Sequence, residues 1–233
     1  MKRCCDGRSI SGQCAATAST SGGGGPTSLL MYLPPAFLQD DVTVLHDAIR
    51  RIRFGALVTV GPDGVPDASH VPMLLDPEPA PYGTLIGHLA RGNPMVQATG
   101  VALAIFGGPN AYISPSWYAS KREHGRVVPT WNYVAVHATG PIEMIDDADA
   151  LHAIVRHLTE THESGRADPW AVEDAPAGFM RGQLKGIVGF RLPIARLEGK
   201  WKMSQNRPAA DREGVAAGLA HEAPEVAALI PRE

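Results

Sequence analysis

The sequence predicts a mainly β domain of the α+β class: an antiparallel barrel, closed or nearly so, with peripheral helices. Three observations carry that expectation. Several short extended runs alternate with compact turn signals, above all Gly61-Pro62-Asp63-Gly64. The links between the early runs are too short for a crossover helix, which argues against a parallel α/β sheet. Only a few segments repeat their apolar residues with helical spacing.

Taken in order, Val42, Leu45, Ile49 and Ile52 recur at intervals of three and four after Asp40 and Asp41, either of which can cap a first turn. A helix is expected there, ended by Gly55. Residues 56–60 form a short, non-alternating apolar run that suits a strand buried on both faces. After the turn at 61–64, residues 66–75 read as its extended hairpin partner. A proline-rich loop over 77–81 precedes a strand at 84–89, and Asn93-Pro94 opens a short helix to about 99. Residues 101–106 and 111–113 read as two strands separated by Gly107-Gly108-Pro109-Asn110, and 114–126 as a polar loop.

Residues 130–145 read as one long strand, with Val134, Val136 and Ala138 on one face and Tyr133, Ala135 and His137 on the other. A helix follows over 146–160, with Leu151, Ile154, Val155 and Leu158 as its apolar stripe. Residues 179–184 suggest a helical turn. Residues 185–197 suggest a last long strand, bent near Pro193, and 211–219 a helix in the tail.

The 233 residues fit one sizeable domain, and 44% hydrophobic with 19% charged residues is the balance of a soluble globular chain. A net charge of −3 argues against a protein that lives on duplex DNA through a general basic excess, so any nucleic-acid contact needs a local patch. No apolar run reaches the ~20 residues that span a bilayer, so no membrane partner is expected. Cys4, Cys5 and Cys14 all lie in the first fourteen residues, which leaves the body without a disulfide framework, as suits a reducing cytoplasm.

Residues 1–30 differ from the rest: they are rich in Ser, Gly, Ala and Thr, with Gly22-Gly23-Gly24-Gly25-Pro26 near their end. They read as a disordered or non-native extension without the apolar segment of a secretory signal, and residues 31–233 as the domain with its helical tail. His152, His157 and His162 sit five residues apart, so they fall on different helix faces and do not converge on a metal.

Six ordered blocks then carry a resemblance. They are Arg53-Phe54-Gly55-Ala56-Leu57-Val58-Thr59, Ala68-Ser69-His70-Val71-Pro72-Met73-Leu74-Leu75-Asp76, and Gly83-Thr84-Leu85-Ile86-Gly87-His88-Leu89-Ala90-Arg91-Gly92-Asn93-Pro94. Phe106 to Tyr118, Val128-Pro129-Thr130-Trp131-Asn132-Tyr133 and Leu197 to Arg207 complete the set. Together they resemble the PaiB-type FMN-binding negative transcriptional regulators, from Met31 to about Leu219. The resemblance implies a split β-barrel related to the pyridoxamine-phosphate-oxidase fold, one FMN at each end of a homodimer interface, and a repressor's role with DNA contact direct or indirect. No helix-turn-helix, zinc finger or basic helix supplies a mechanism for that contact.

The residue chemistry is compatible with such a site. A flavin mononucleotide needs donors for its phosphate, an apolar bed for its ring and polar groups for the pyrimidine edge. Arg91 and Asn93, with the backbone of Ala90 and Pro94 at a helix start, suit the phosphate. His70, Pro72 and His88 share strands with alternating neighbours and are candidates for the ring or ribityl chain, although a histidine satisfied by backbone is an equal reading. Ser114, Lys121, Trp131 and Asn132 add aromatic and polar groups, with core packing and dimer contacts as the alternative. Lys202, Ser204, Gln205 and Asn206 form the densest run of donors and are expected to line the pocket, from one subunit or its partner. No catalytic residue and no metal ligand is identified. The main alternative function is an FMN-dependent oxidoreductase acting on a small molecule; a haem-handling protein using His70 or His88 as axial ligand is a remoter one.

Overall fold

The computed structural model describes residues 31–232; the expectations for residues 1–30 lie outside them. The chain builds two antiparallel sheets. The larger contains β1 (Leu38–Gln39), β2 (Phe54–Val60), β3 (Pro66–Pro72), β6 (Val101–Ile113), β7 (Thr130–Pro141) and β10 (Arg196–Lys202), in the order β1-β10-β7-β6-β2-β3. The smaller contains β4 (Leu74–Asp76), β5 (Thr84–Ala90), β8 (Glu143–Ile145) and β9 (Ile187–Pro193), in the order β4-β5-β9-β8. Their inner faces enclose one core of Leu57, Val71, Ala104, Phe106, Val136, Leu85, Phe190 and Leu192, all buried. Helix α1 (Val42–Ile52) contributes Leu45 and Ile49 to it. This is the α+β split-barrel arrangement the sequence predicts.

Each of the three longest extended expectations turns out to be two strands in different sheets. Residues 66–75 divide into β3 and β4, 130–145 into β7 and β8, and 185–197 into β9 and β10. In every case the first strand ends on a proline: Pro72, Pro141 and Pro193. Proline has no N–H to give the ladder, so pairing stops and the chain turns the barrel's corner. One corner demands a glycine. A Cβ on Gly140 would lie 1.9 Å from the Pro193 carbonyl oxygen, where β9 passes over β7 on its way to β10.

Other boundaries move for local reasons. Helix α1 is capped by Asp41, whose carboxylate accepts from the Thr43 N–H at 2.8 Å, and it ends at Ile52 rather than Gly55. Arg53 adopts a left-handed φ of 57° there, and its side chain donates to the Arg50 and Thr161 carbonyls. The strand at 56–60 alternates in burial instead of being buried on both sides, because only one face meets the core. Residues 101–113 form one strand that absorbs Gly107-Gly108-Pro109-Asn110 as a bulge. The short helix after Asn93 is a 3-10 turn, Pro94–Gln97.

Helix α2 (Ser120–His124) interrupts the polar loop, α3 (Ala148–Glu163) lies against the small sheet, and α4 (Ala177–Leu184) follows it. In α3 Leu151, Ile154 and Leu158 are buried. The tail forms α5 (Ala209–Leu219) and α6 (Pro224–Ala228), which enclose a second core with Ile113, Tyr118, Val134 and Met203. Among the described residues no helix is long and apolar enough to cross a membrane.

The outer face of the large sheet is apolar where β2, β3 and β6 meet. Antiparallel register puts opposed residues on one face, so Ala56, His70 and Ile105 share it, as do Val58, Ala68 and Leu103. Phe54, Val60 and Val101 are more than half exposed on the same face.

Candidate functional site

The corner at Pro72 brings β3, the edge strand of the large sheet, against β5 of the small one. Between them lies an open groove of about 480 Å³, lined by Ser69, His70, Val71, Pro72, His88, Leu89, Ala90, Asn93 and Ile187. That volume is within the range of small-molecule sites. Asn93 ties the groove's end: its amide donates to the Ser69 hydroxyl at 2.8 Å, and its carbonyl accepts from the Met95 N–H at 2.9 Å. His70 is exposed, its ring stacked on Phe54 with centroids 6.3 Å apart. His88 is half-buried, and burial pushes its pKa down, so the ring is neutral at neutral pH. Its Nδ1 is buried with no hydrogen-bond partner among the described residues. Five expected site residues, His70, Pro72, His88, Ala90 and Asn93, are therefore gathered here.

Arg91 follows directly but points elsewhere. Its Nε donates to the Lys185 carbonyl at 2.8 Å, and one terminal nitrogen donates to the Ile187 carbonyl at 2.9 Å and to Asp146 Oδ1 at 2.5 Å. The Asp146 hydrogen bond holds the guanidinium pKa up and the carboxyl pKa down. A phosphate would compete with that exposed pair for Arg91. Pro94 begins the 3-10 turn and does not line the groove.

A second pocket of about 50 Å³ lies across the large sheet, lined by Thr130, Asn132, Lys202, Ser204, Asn206 and Arg207. Three strands separate β3 from β10 in the sheet order, four steps or roughly 19 Å along the sheet. Asn132 is fully buried on β7, and its amide meets the Ser204 hydroxyl at 3.1 Å. Ser204 takes a left-handed φ of 62° that turns the chain back under the strand end. Gln205 braces that turn from within: its amide oxygen accepts from the Met203 N–H at 2.6 Å, and its nitrogen donates to the Trp201 carbonyl. Lys202 donates to the Thr130 hydroxyl at 2.5 Å and to the Trp131 carbonyl. Burial first, then the charges of Lys200 and Arg207, push the Lys202 pKa down. The Arg207 guanidinium lies 4.7 Å over the Tyr118 ring.

The remaining expected residues have local tasks. Ser114 caps the 3-10 turn Pro115–Trp117, and Lys121 donates to the Ser116 hydroxyl at 3.1 Å. Trp131 is half exposed, edge-on to Tyr112 at 6.1 Å. Their neighbours Trp117 and Tyr118 belong to the second core. A Cβ on Gly218 would come within 2.4 Å of the Trp117 ring, so α5 seats directly on that indole. Sequence reasoning missed Ser69, Val71, Leu89 and Ile187 in the groove, and Thr130 in the pocket. Ser69 and Thr130 both sit inside recognised blocks, beside residues that were singled out; Ile187 arrives from a distant strand with no local signal.

Solved structures place the architecture first. The chain is similar to the FAD and heme binding protein of Mycobacterium smegmatis, with a TM-score of 0.55 and 19% identity over 78% of this chain and 80% of that one. It is also similar to the conserved hypothetical protein Rv2991 of Mycobacterium tuberculosis, with a TM-score of 0.52 and 15% identity over 76% and 94%. These likenesses show the fold alone: a split barrel.

The family follows from sequence. Residues 31–196 match the family described as "Putative FMN-binding domain", and the chain belongs to it. It is 34% identical to the protease synthase and sporulation protein PAI 2 of Bacillus subtilis over 195 residues, covering 82% of this chain and 90% of that protein. An uncharacterized protein of Aspergillus fumigatus is equally similar, 34% identical over 81% of this chain and 90% of its own length. FMN is the cofactor that this membership assigns.

Proposed function

We propose that this chain is a homodimeric, cytoplasmic FMN protein that acts as a PaiB-type negative transcriptional regulator. The observation that carries the reading is the groove between β3 and β5, which opens beside the apolar outer face of the large sheet. The groove fits a flavin chemically. Pro72 and Leu89 offer apolar surface, and the Ser69 hydroxyl, the Asn93 amide and the unpartnered Nδ1 of His88 offer polar contacts. These residues would hold the cofactor, and bound FMN supplies one- and two-electron redox chemistry.

The apolar face supports a second copy as partner. Phe54, Val58, Val60 and Leu103 lie on one side of the adjacent strands β2 and β6, and exposed apolar surface of that kind marks an association site. His70 belongs both to that face and to the groove, so closing the dimer would also wall the flavin. The regulatory role rests on the resemblance to the PaiB-type regulators, and the 34% identical Bacillus protein is named a protease synthase and sporulation protein. A net charge of −3 favours regulation through a redox or ligand-bound state, or through a local patch, over broad DNA binding.

The test is an FMN titration followed by absorbance and light scattering, then DNA binding at two salt concentrations with and without flavin. Saturation at one FMN per subunit of a dimer is expected, with DNA affinity that depends on the flavin. Rapid, flavin-dependent consumption of NAD(P)H with no DNA binding would instead favour the oxidoreductase, which the solvent-open groove also accommodates.

A further inference from the structure

We infer that the small pocket formed by Thr130, Asn132, Lys202, Ser204, Asn206 and Arg207 is a site for a phosphate-type oxyanion. Its size excludes a flavin ring, because about 50 Å³ holds one compact polar group and little else. Its walls are nearly all donors: two cations, a side-chain amide at Asn206, and the hydroxyls of Thr130 and Ser204.

The pocket is built, not incidental. Asn132 is fully buried and Ser204 is 4% exposed, and their mutual hydrogen bond fixes the floor. Gln205 locks the turn by bonding the main chain on both sides of it, at Met203 and Trp201. The Tyr118 ring, 4.7 Å from the Arg207 guanidinium, helps hold that side chain beside the pocket.

Charge is the second argument. Lys200, Lys202 and Arg207 lie close enough for the first and last to depress the pKa of the second. Lys200 donates to the Tyr32 carbonyl at 2.9 Å and faces the Tyr32 and Tyr133 rings. Among the described residues no carboxylate forms an ion pair with Lys202 or Arg207. Asp211 and Arg207 interact electrostatically, but the two Asp211 oxygens accept from the Ser120 N–H at 2.9 Å and the Ser120 hydroxyl at 2.7 Å. Three cations gathered in a partly desolvated corner repel one another, and a bound dianion relieves that repulsion. A phosphate matches the site better than a carboxylate, because lysine, arginine and hydroxyl donors converge from several sides on a tetrahedral group.

The phosphate has two sources: the flavin's own, reaching this pocket from a groove on the partner copy, or that of a second small molecule. The experiment uses the full chain and titrates inorganic phosphate, FMN and riboflavin by calorimetry. The parent is compared with Lys202→Met, Arg207→Gln and the conservative Lys202→Arg, each checked for folding by circular dichroism. Saturable phosphate binding that drops at least tenfold in Lys202→Met and recovers in Lys202→Arg is expected. If the phosphate is the flavin's, inorganic phosphate competes with FMN, and the FMN-over-riboflavin preference collapses in the variants. If it belongs to a second ligand, phosphate binds equally with FMN in place. Either result supports the pocket.

Unchanged phosphate and FMN binding in folded Lys202→Met, or no phosphate binding by the parent together with an unaltered FMN-to-riboflavin ratio, would overturn it. If Arg207→Gln fails to fold, Lys202→Met decides alone. Failure here leaves the flavin groove untouched, whereas a chain that binds phosphate but no flavin would refute the groove and keep the pocket.

Discussion

The groove and the pocket differ in almost every physical respect. The groove is wide, open and mixed in polarity, formed where an edge strand meets a second sheet, and burial keeps its His88 neutral. The pocket is narrow and cationic, formed where a strand end folds back over a buried asparagine. The groove rests on the barrel core, while the pocket rests on the C-terminal core that α5 and α6 supply. The contrast teaches that one barrel carries two unlike concave surfaces on separate supports. Substitutions should be able to remove one and spare the other.

The largest effect is expected where both surfaces depend on one contact. Gly140→Val would drive a side chain into the Pro193 carbonyl at the corner that carries the chain from β9 to β10. Backbone cannot retreat there without unpairing a strand, so destabilisation of about 3 kcal/mol or more is expected. Urea unfolding would show it, with groove and pocket lost together.

Asp211→Ala should separate the two. Asp211 is 1% exposed and satisfies both the N–H and the hydroxyl of Ser120, anchoring α5 beside the pocket. Removing it strands two buried donors, a cost of roughly 2–3 kcal/mol. The pocket's ligand binding should fall while flavin binding in the groove persists. The carboxyl also has a pH signature. Burial works against its charge, but the Ser120 donors and Arg207 outweigh that and hold its pKa below the ordinary value. Because the folded pKa is depressed, this stabilisation is full above the usual carboxylate range and is lost as pH falls through the lowered value. Asp211→Asn should therefore flatten part of the acid limb of a stability-against-pH curve.

Outer-face charge tests the link between groove and partner. Val58→Asp would place a carboxylate among Ala68 and Leu103 without touching the core. Light scattering should report a shift from dimer to monomer, with FMN affinity falling because the groove loses its outer wall. A dimer that survives the change would move the interface elsewhere.

These predictions draw on features of unequal visibility in the sequence. The alternation of Val134, Val136 and Ala138 against Tyr133, Ala135 and His137 announces which side of β7 is core, because a strand's period of two is a local property. The sheet changes were less legible. Residues 66–75, 130–145 and 185–197 each look continuous, and the prolines at 72, 141 and 193 mark where pairing stops without saying which sheet comes next. The groove was half visible: His70, Pro72, His88 and Asn93 stand in neighbouring blocks, but Ile187 reaches them through a pairing with Ala90 almost a hundred residues away. Trp117 and Tyr118 were the hardest to place. An aromatic pair reads alike as ring bed or core, and only the glycine on α5 that receives the indole decides for core.

A smaller effect is expected at His88, which belongs to the groove alone. Its desolvated ring has a pKa below the ordinary ~6.5, so the unfolded chain takes up the proton first. Stability from this residue is therefore full above that value and declines as pH falls below it. His88→Gln should lessen that decline in urea midpoints between pH 7 and 5. It should also weaken FMN binding through the lost Nδ1 contact, leaving phosphate binding in the pocket unchanged.

Arg91→Ala should have the smallest effect. Arg91 and Asp146 form an exposed pair, and such pairs contribute little once solvent and salt screen them. Its other bonds go to the carbonyls of Lys185 and Ile187 at the start of β9. If Arg91 keeps those partners when flavin binds, FMN affinity should be the same in Arg91→Ala and in Asp146→Asn, and close to that of the parent. If Arg91 instead leaves Asp146 for the flavin phosphate, the two variants must diverge. Arg91→Ala would weaken FMN but not riboflavin, while Asp146→Asn, by freeing the guanidinium, would tighten FMN. Titrating both variants with both flavins thus decides whether Arg91, at the end of β5 in the small sheet, receives the flavin phosphate.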